Sequence, residues 1–134
     1  METVEIGIER PEVSLLRKEQ VEELTKNGLL FASNHDAKPC VHLTGKGLDF
    51  ILSEISVEDP DKVYGLFYDQ GKPTLGYLSI QYLNDYHENK EALYNSFSFH
   101  AEYPISVFKA VSDEIGKIVW DHRMFPKKFE FYGK

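Results

Sequence analysis

Residues 40–80 decide the fold, and they read CVHLTGKGLDFILSEISVEDPDKVYGLFYDQGKPTLGYLSI. Apolar, β-branched and aromatic residues gather there in short runs, and clusters of glycine, proline and acidic residues separate the runs as turns. The four runs cover residues 40–44, 50–57, 62–68 and 74–80. Connections this short join antiparallel neighbours, because a parallel connection needs about a dozen residues or more. The stretch therefore predicts an antiparallel meander of four strands.

A helix is predicted before the meander. Apolar residues at helical spacing cover residues 15–26, Ser14 is a typical N-cap, and Asn27-Gly28 is a typical C-terminal stop. Because one stripe of this helix is apolar, we expect it to pack against the sheet.

Helical spacing returns after the meander. A short helix is predicted over residues 80–87 and a longer amphipathic helix over 105–120. Within the longer one, Gly116 costs about 1 kcal/mol relative to alanine, which packing can absorb. Between the two helices, Phe97 and Phe99 alternate with serines, and this alternation predicts a fifth short strand.

These elements predict an α+β fold, with a mostly antiparallel meander sheet of four to five strands and two amphipathic helices packed on one face. A chain of 134 residues has the usual size of one domain. We expect a single globular domain over residues 14–120. A leader or edge strand at 1–13 precedes it, and a C-terminal tail at 121–134 follows it.

Charge and cysteine content exclude several classes of protein. The net charge of −7 opposes direct binding to nucleic acid or to an anionic membrane. No apolar run is long enough to span a bilayer, and residues 1–10 lack the apolar segment of a secretory signal. Cys40 is the only cysteine, which excludes an internal disulfide and a zinc site with several thiolates. We therefore expect a protein of the reducing cytoplasm.

Several short motifs follow one another in a fixed order. They are Val41-His42-Leu43-Thr44, Phe50-Ile51-Leu52-Ser53-Glu54, Glu58-Asp59-Pro60-Asp61, Tyr64-Gly65 and Leu75-Gly76-Tyr77-Leu78-Ser79. With this ordered set, the chain resembles a bacterial family of unknown function that is common on plasmids and other mobile elements. The similarity runs from about residue 16 to residue 118, and it implies no established reaction. The positions that it matches are Glu54, Gly65, Gly76 and Tyr77.

The chain departs from the pattern of that family at two charged positions. Thr74 stands where the family usually has an acid, and Asn95-Ser96 stands where it usually has Arg-Asp. If relatives use those charges for a function, this chain lacks them.

Glu54 is the strongest candidate for a catalytic side chain, and Tyr77 is the second. Strand alternation places Glu54 on the same face as Phe50 and Leu52. If that face is buried, desolvation raises the pKa of the carboxyl, as a general acid or base requires. The alternative is that this face meets water near the strand end, or that Glu54 accepts backbone or tyrosine hydrogen bonds.

The histidines do not indicate a metal site. They are His35, His42, His87, His100 and His122, and no two have the spacing of a metal motif. A site assembled in space, for example from His42 and His100, stays open as an alternative. We expect no metal and no cofactor.

A group of tyrosines is the candidate binding surface. It consists of Tyr64, Tyr68, Tyr77, Tyr82 and Tyr86, all within 23 positions. Tyrosine offers a large contact area at little entropic cost and is enriched in protein interfaces. The alternative is ordinary placement in the core and at its boundary.

Two functional hypotheses follow. The first is a small non-catalytic protein that binds a protein partner or a second copy of itself, as an accessory protein of a mobile element. In one version its acidity imitates DNA. The second is a small acid/base enzyme with a site around Glu54 and Tyr77. No recognisable catalytic constellation is present, so the sequence favours a protein that is not an enzyme without deciding the question.

Overall fold

The computed structural model describes residues 15–96 and 98–126. Its strands are β1 Val41–Gly45, β2 Leu48–Ile55, β3 Lys62–Asp69, β4 Lys72–Ser79 and β5 Tyr94–Asn95. Its helices are α1 Lys18–Leu30, α2 Ile80–Asn89 and α3 Ile105–Ile115, and a 3-10 turn covers His122–Met124. The strands form one open sheet in the order β4-β3-β2-β1-β5, in which all neighbours are antiparallel. The predicted α+β fold and the antiparallel meander are confirmed.

The four strands of the meander begin and end within two residues of their predicted limits. The small shifts arise because two of the hairpins are tighter than expected. Lys46-Gly47 and Gln70-Gly71 are two-residue turns, in which the glycines have φ angles of 73° and 80°. Glycine adopts this left-handed backbone without the steric cost of a Cβ atom, so it fixes both turns.

Helix α1 begins later than predicted. Its N-cap is Arg17, and the Arg17 backbone N–H donates to the Gln20 side chain at 2.9 Å. The Gln20 side chain, in the first turn of the helix, thus caps the N-terminus. The predicted cap, Ser14, lies outside the described residues.

Helix α1 also ends later than predicted, because Asn27-Gly28 is a packing contact and not a stop. The Asn27 side-chain amide donates to the Ser53 carbonyl oxygen at 2.9 Å. A Cβ atom at Gly28 would overlap the Ile55 carbonyl oxygen. The helix therefore continues to its last residue, Leu30, while this pair lets it approach the end of β2 closely.

The fifth strand forms earlier in the chain than predicted. It covers Tyr94–Asn95 and pairs with β1. The Asn95 side chain donates to the Leu15 carbonyl at 3.0 Å and to the Gln20 side chain at 2.7 Å, which holds this segment against α1. Phe99 belongs to no strand, and Phe97 lies outside the described residues.

Helix α3 is shorter than the predicted helix over 105–120. Gly116 caps it in the left-handed conformation, with a φ angle of 92°. Glycine at this position ends a helix instead of merely weakening it. The apolar residues Ile118 and Val119 are still buried, and the Ile118 N–H donates to the Tyr68 hydroxyl at 2.9 Å.

Each face of the sheet carries its own apolar cluster. Leu52 faces a cluster that includes Leu24 of α1 and Leu83 of α2, whereas Ile51 faces a cluster that includes Phe108 of α3. Two helices do share one face, but they are α1 and α2, and α3 covers the other. Because β2 is apolar on both faces, its sequence did not indicate which helix packs where.

The ends of the chain are only partly described. Residues 121–126, which the sequence assigns to a tail, include Phe125, and its ring lies 5.1 Å from that of Phe108. The predicted leader at 1–13 and residues 127–134 lie outside the described part, so the domain limits stay predictions. Within residues 15–96 and 98–126, no helix is both long and apolar enough to cross a membrane.

Candidate functional site

A β-bulge near the end of β2 sets the direction of Glu54. The register against β3 shifts between Leu52 and Glu54, so Ser53 is an extra residue in the strand. The extra residue turns Glu54 to the face of Ile51. The prediction that Glu54 shares a face with Phe50 and Leu52 is therefore wrong, because strict alternation does not allow for a bulge.

The bulge is held by close packing around it. The Ser53 carbonyl accepts the Asn27 amide, and the Ser53 hydroxyl donates to the Tyr64 carbonyl at 3.2 Å. Across the ladder, a Cβ atom at Gly65 would overlap the Ile51 carbonyl oxygen. Glycine at this family-matched position therefore has a structural reason.

The Glu54 carboxyl is buried and bonded to a histidine. Its side chain is 1% exposed, and Oε2 lies 2.9 Å from Nδ1 of His35, whose side chain is 37% exposed. The other oxygen, Oε1, is also buried and has no hydrogen-bond partner among the described residues. A buried polar atom without a partner destabilises a fold, so its presence calls for an explanation, such as a catalytic role or a bound water or ion.

His35 lies on the loop between α1 and β1, in the left-handed conformation with a φ angle of 54°. Its backbone N–H donates to the Phe31 carbonyl at 2.7 Å. The neighbouring Asp36 carboxylate accepts the backbone N–H and the hydroxyl of Ser106, each at 2.9 Å, which ties the loop to the start of α3. Sequence reasoning missed His35, because its contact with Glu54 joins residues 19 positions apart and leaves no local pattern.

Two tyrosine rings contact the imidazole of His35. The Tyr64 ring stacks on the imidazole at a centroid distance of 5.1 Å, and the Tyr77 ring meets it edge-on at 5.8 Å. The Tyr77 hydroxyl lies 3.4 Å from the same Nδ1 atom that contacts Glu54. Glu54 and Tyr77, the two predicted catalytic candidates, thus meet through a residue that was not predicted.

His35, Glu54 and Tyr77 line a cavity of about 470 Å³. Its walls come from the C-terminal end of α1 and the loop after it, the end of β2 and the turn that follows it, the first residue of β3 and the second half of β4. The titratable residues that line it are His35, Glu54, Glu58, Asp59, Lys62 and Tyr77. A concave site with convergent polar groups is the usual form of a small-molecule site.

The environment of the cavity strengthens proton binding. Burial raises the pKa of the Glu54 carboxyl, although the hydrogen bond and charge of His35 act in the opposite direction. Burial and the negative charge of Glu54 also raise the pKa of Tyr64 and of Tyr77, and Glu58 adds to the effect on Tyr77. The site therefore disfavours additional negative charge.

The five predicted binding tyrosines do not lie on one surface. Tyr77 lines the cavity and the Tyr64 ring stacks on His35, whereas the Tyr68 hydroxyl accepts the backbone N–H of Ile118. Tyr82 and Tyr86 lie on α2 with their ring centroids 6.3 Å apart, and Tyr86 packs on the cluster of the opposite face. A binding role for these residues stays a prediction.

A second histidine–carboxylate pair lies on the same face. His42 Nε2 is 2.8 Å from Asp49 Oδ1, and the imidazole stacks on the Trp120 ring at 4.9 Å. His100 Nε2 lies 2.6 Å from Glu102 Oε2, in a pair that is exposed. In residues 15–96 and 98–126, no three His, Cys, Asp or Glu side chains are placed to hold a metal ion. Cys40 packs on the α1 side, where burial and the nearby Glu23 raise the pKa of its thiol to about 12.

The comparisons with known proteins identify a family. A family model described as a protein of unknown function (DUF2958) matches residues 15–119, most of the chain. The chain belongs to the DUF2958 family. The expected resemblance to a family of unknown function is confirmed, and the matched span of this DUF2958 member contains the whole Glu54 cavity. The association with plasmids stays a prediction. No curated protein and no solved structure matches the chain.

Proposed function

We propose that this protein acts in the cytoplasm on a small polar molecule, which it binds in the Glu54 cavity and to which His35 and Glu54 transfer a proton. The observation that carries the proposal is the Glu54 carboxyl, which is buried, bonded through one oxygen to His35 and unpartnered at the other. A structural carboxylate has both oxygens satisfied or exposed to water. A carboxyl kept dry beside an imidazole at a cavity wall is the arrangement of a general acid/base site.

The roles of His35 and Glu54 follow from which ring nitrogen of His35 is hydrogen-bonded. Nδ1 of His35 is bonded to Glu54, while Nε2 has no hydrogen bond within the described part of the chain. In the form of the site in which Glu54 is ionised and Nδ1 carries the proton between them, Nε2 holds a lone pair that accepts a proton from a bound molecule. The imidazolium that results is stabilised by the Glu54 carboxylate 2.9 Å away, and it returns the proton when the product forms. Tyr77, with its hydroxyl near Nδ1, lies where it can contact the same molecule.

The experiment is an NMR screen of small polar metabolites against the ¹⁵N-labelled protein, followed by a turnover assay on every compound that binds. We expect binding compounds to shift the amides of His35, Ser56 and Tyr77. Glu54→Gln and His35→Asn should each lower turnover by about 100-fold, the usual contribution of a proton-transfer group, while the compound still binds. Glu88→Gln, an exposed change on α2, is the control.

Two results would overturn the proposal. One is a screen in which no compound shifts the cavity amides. The other is turnover that survives in both variants, with folding checked by the melting temperature.

The second candidate is the protein-binding role, as an accessory protein of a mobile element. Leu29 and Val57 are exposed apolar residues, and both line a groove of about 230 Å³ beside α1. A protein that has no partner seldom leaves large side chains together in this way. Affinity capture from the native host should recover one protein with the wild type and lose it with Leu29→Ser plus Val57→Ser. Equal recovery with both would remove this candidate.

A further inference from the structure

The cavity around Glu54 contains more negative than positive charge. Glu54, Glu58 and Asp59 line it, against one lysine, Lys62. Lys62 is exposed, and its charge is partly offset by Asp61, beside it in sequence, whose carboxylate it helps to keep ionised. A charged ligand that enters this cavity therefore meets a field that favours a cation.

The loop after β2 fixes the backbone of the two outer acids, Glu58 and Asp59. The Ser56 hydroxyl accepts the backbone N–H groups of Glu58 and Asp59 at 3.1 and 3.3 Å. The Asp59 carboxylate also accepts the N–H of Asp61 at 3.0 Å, whereas the Glu58 carboxylate has no such bond in the described residues. Glu58 is close enough to Tyr77 to disfavour its ionisation. One acid is therefore held in place, and the other is available to a ligand.

The inner acid supplies an observation that does not depend on the outer two. Glu54 lines the cavity, and its buried Oε1 has no hydrogen-bond partner among the described residues, so a ligand in the cavity can supply the missing donor. Tyr77 also lines the cavity, and the face of an aromatic ring attracts a cation. A positively charged hydrogen-bond donor can bond to Glu54 Oε1 and is also attracted by the Tyr77 ring. A primary ammonium group has three donors and no acceptor, which is what the site needs.

We propose that the ligand of this cavity carries a protonated amine, which donates a hydrogen bond to Glu54 Oε1 and whose charge is balanced by Glu58 and Asp59. This inference rests on the proposed small-molecule function and names the chemical class of its substrate. An amine bound there favours the ionised form of Glu54. Binding therefore releases a proton wherever the free protein still holds one on that carboxyl.

Three probes of the same shape separate the alternatives: benzylamine, benzyl alcohol and benzoate, each titrated into the ¹⁵N-labelled protein at one ionic strength. We expect benzylamine to saturate the shifts of the cavity amides with a dissociation constant at least about tenfold lower than that of benzyl alcohol. Benzoate should cause no saturable shift there. Calorimetry in two buffers of different ionisation enthalpy should show proton release with benzylamine alone.

A charge-matched pair of double variants locates the effect. Glu58→Gln with Asp59→Asn should weaken benzylamine about tenfold and leave benzyl alcohol unchanged. Glu88→Gln with Glu91→Gln removes the same net charge at exposed positions that do not line the cavity, and it should change both constants less than about twofold. Asp59→Asn keeps a side-chain oxygen that can accept the Asp61 N–H, so the loop is preserved.

The inference and the proposed function can fail separately. Equal binding of the amine and the alcohol, or tighter binding of benzoate, would overturn the amine class and leave the cavity as a small-molecule site. Absence of any shift with benzylamine also overturns the amine class. The proton-transfer role is judged independently, by the turnover of Glu54→Gln and His35→Asn.

Discussion

Two histidine–carboxylate pairs lie on one face of the sheet, and they differ in which partner is buried. In the pair of His42 and Asp49, the histidine side chain is 4% exposed and the acid 21%. In the pair of His35 and Glu54, the acid is 1% exposed and the histidine 37%. A carboxylate that contacts water stays ionised at little desolvation cost, so the first pair is a structural contact. A dry carboxyl beside an accessible imidazole stores a proton where a ligand can reach it, so the second pair suits chemistry.

Both acids come from β2, and the bulge creates the difference between them. Asp49 precedes Ile51 on the regular part of the strand, where alternation holds. Glu54 follows the extra residue Ser53, so it lies on the same face as Asp49. At this position the Asn27 side chain of α1 donates a hydrogen bond to the Ser53 carbonyl. Proteins often use a bulge to redirect one side chain near a site.

The largest expected effect on stability comes from the close contact between Gly28 of α1 and Ile55, beside the bulge. Gly28→Ala places a methyl group against the Ile55 carbonyl oxygen and should lower the free energy of unfolding by about 3 kcal/mol. The matched control is Gly76→Ala, where a Cβ atom meets only ordinary contacts at 3.6 Å from the Phe67 ring. Chemical denaturation measures both. Equal stability of the two variants would mean that the bulge does not depend on the close approach of α1.

The next effect separates the two histidines. His42→Asn removes a buried ring that stacks on Trp120 and should cost about 2–3 kcal/mol. His35→Asn should cost less than about 1 kcal/mol at pH 5, because the side chain is partly exposed and asparagine tolerates the left-handed backbone. The cost of His35→Asn should grow as the pH rises, because the ionised Glu54 then lacks its partner. If His35→Asn is the more damaging variant at pH 5, the comparison of the two pairs is wrong.

A smaller effect concerns pH and stability. Because the folded state raises the pKa of Glu54, it binds the proton more tightly than the unfolded chain does. The contribution of Glu54 to stability is therefore present at low pH and is lost as the pH rises through the folded pKa. Glu54→Gln cannot ionise, so the stability of the variant relative to wild type should increase from pH 4 to pH 8. Parallel stability curves for the two proteins would contradict this expectation.

The sequence predicted the meander well, because apolar runs and the glycine-containing turns between them are local signals. It predicted Glu54 as a candidate from its strand position, and the family resemblance added Tyr77 as a matched position; in the structure both side chains line one cavity. It did not predict His35, since the hydrogen bond to Glu54 depends on how a loop folds over the sheet. It misread Asn27-Gly28 and the face of Glu54 for one shared reason: close packing of α1 and a one-residue bulge have no periodic signature. Gly116 was misread in the opposite direction. It ends helix α3, whereas the sequence pattern placed it inside a longer helix.

The most direct test is a ¹³C NMR titration of the Glu54 side-chain carboxyl carbon in the intact protein. Burial on the cavity face predicts a pKa above the ordinary range of glutamic acid, with the proton still held when exposed carboxyls have lost theirs. A pKa at or below that ordinary range would contradict the account, because it would mean that the carboxylate is hydrated or fully bonded and that the cavity holds no stored proton.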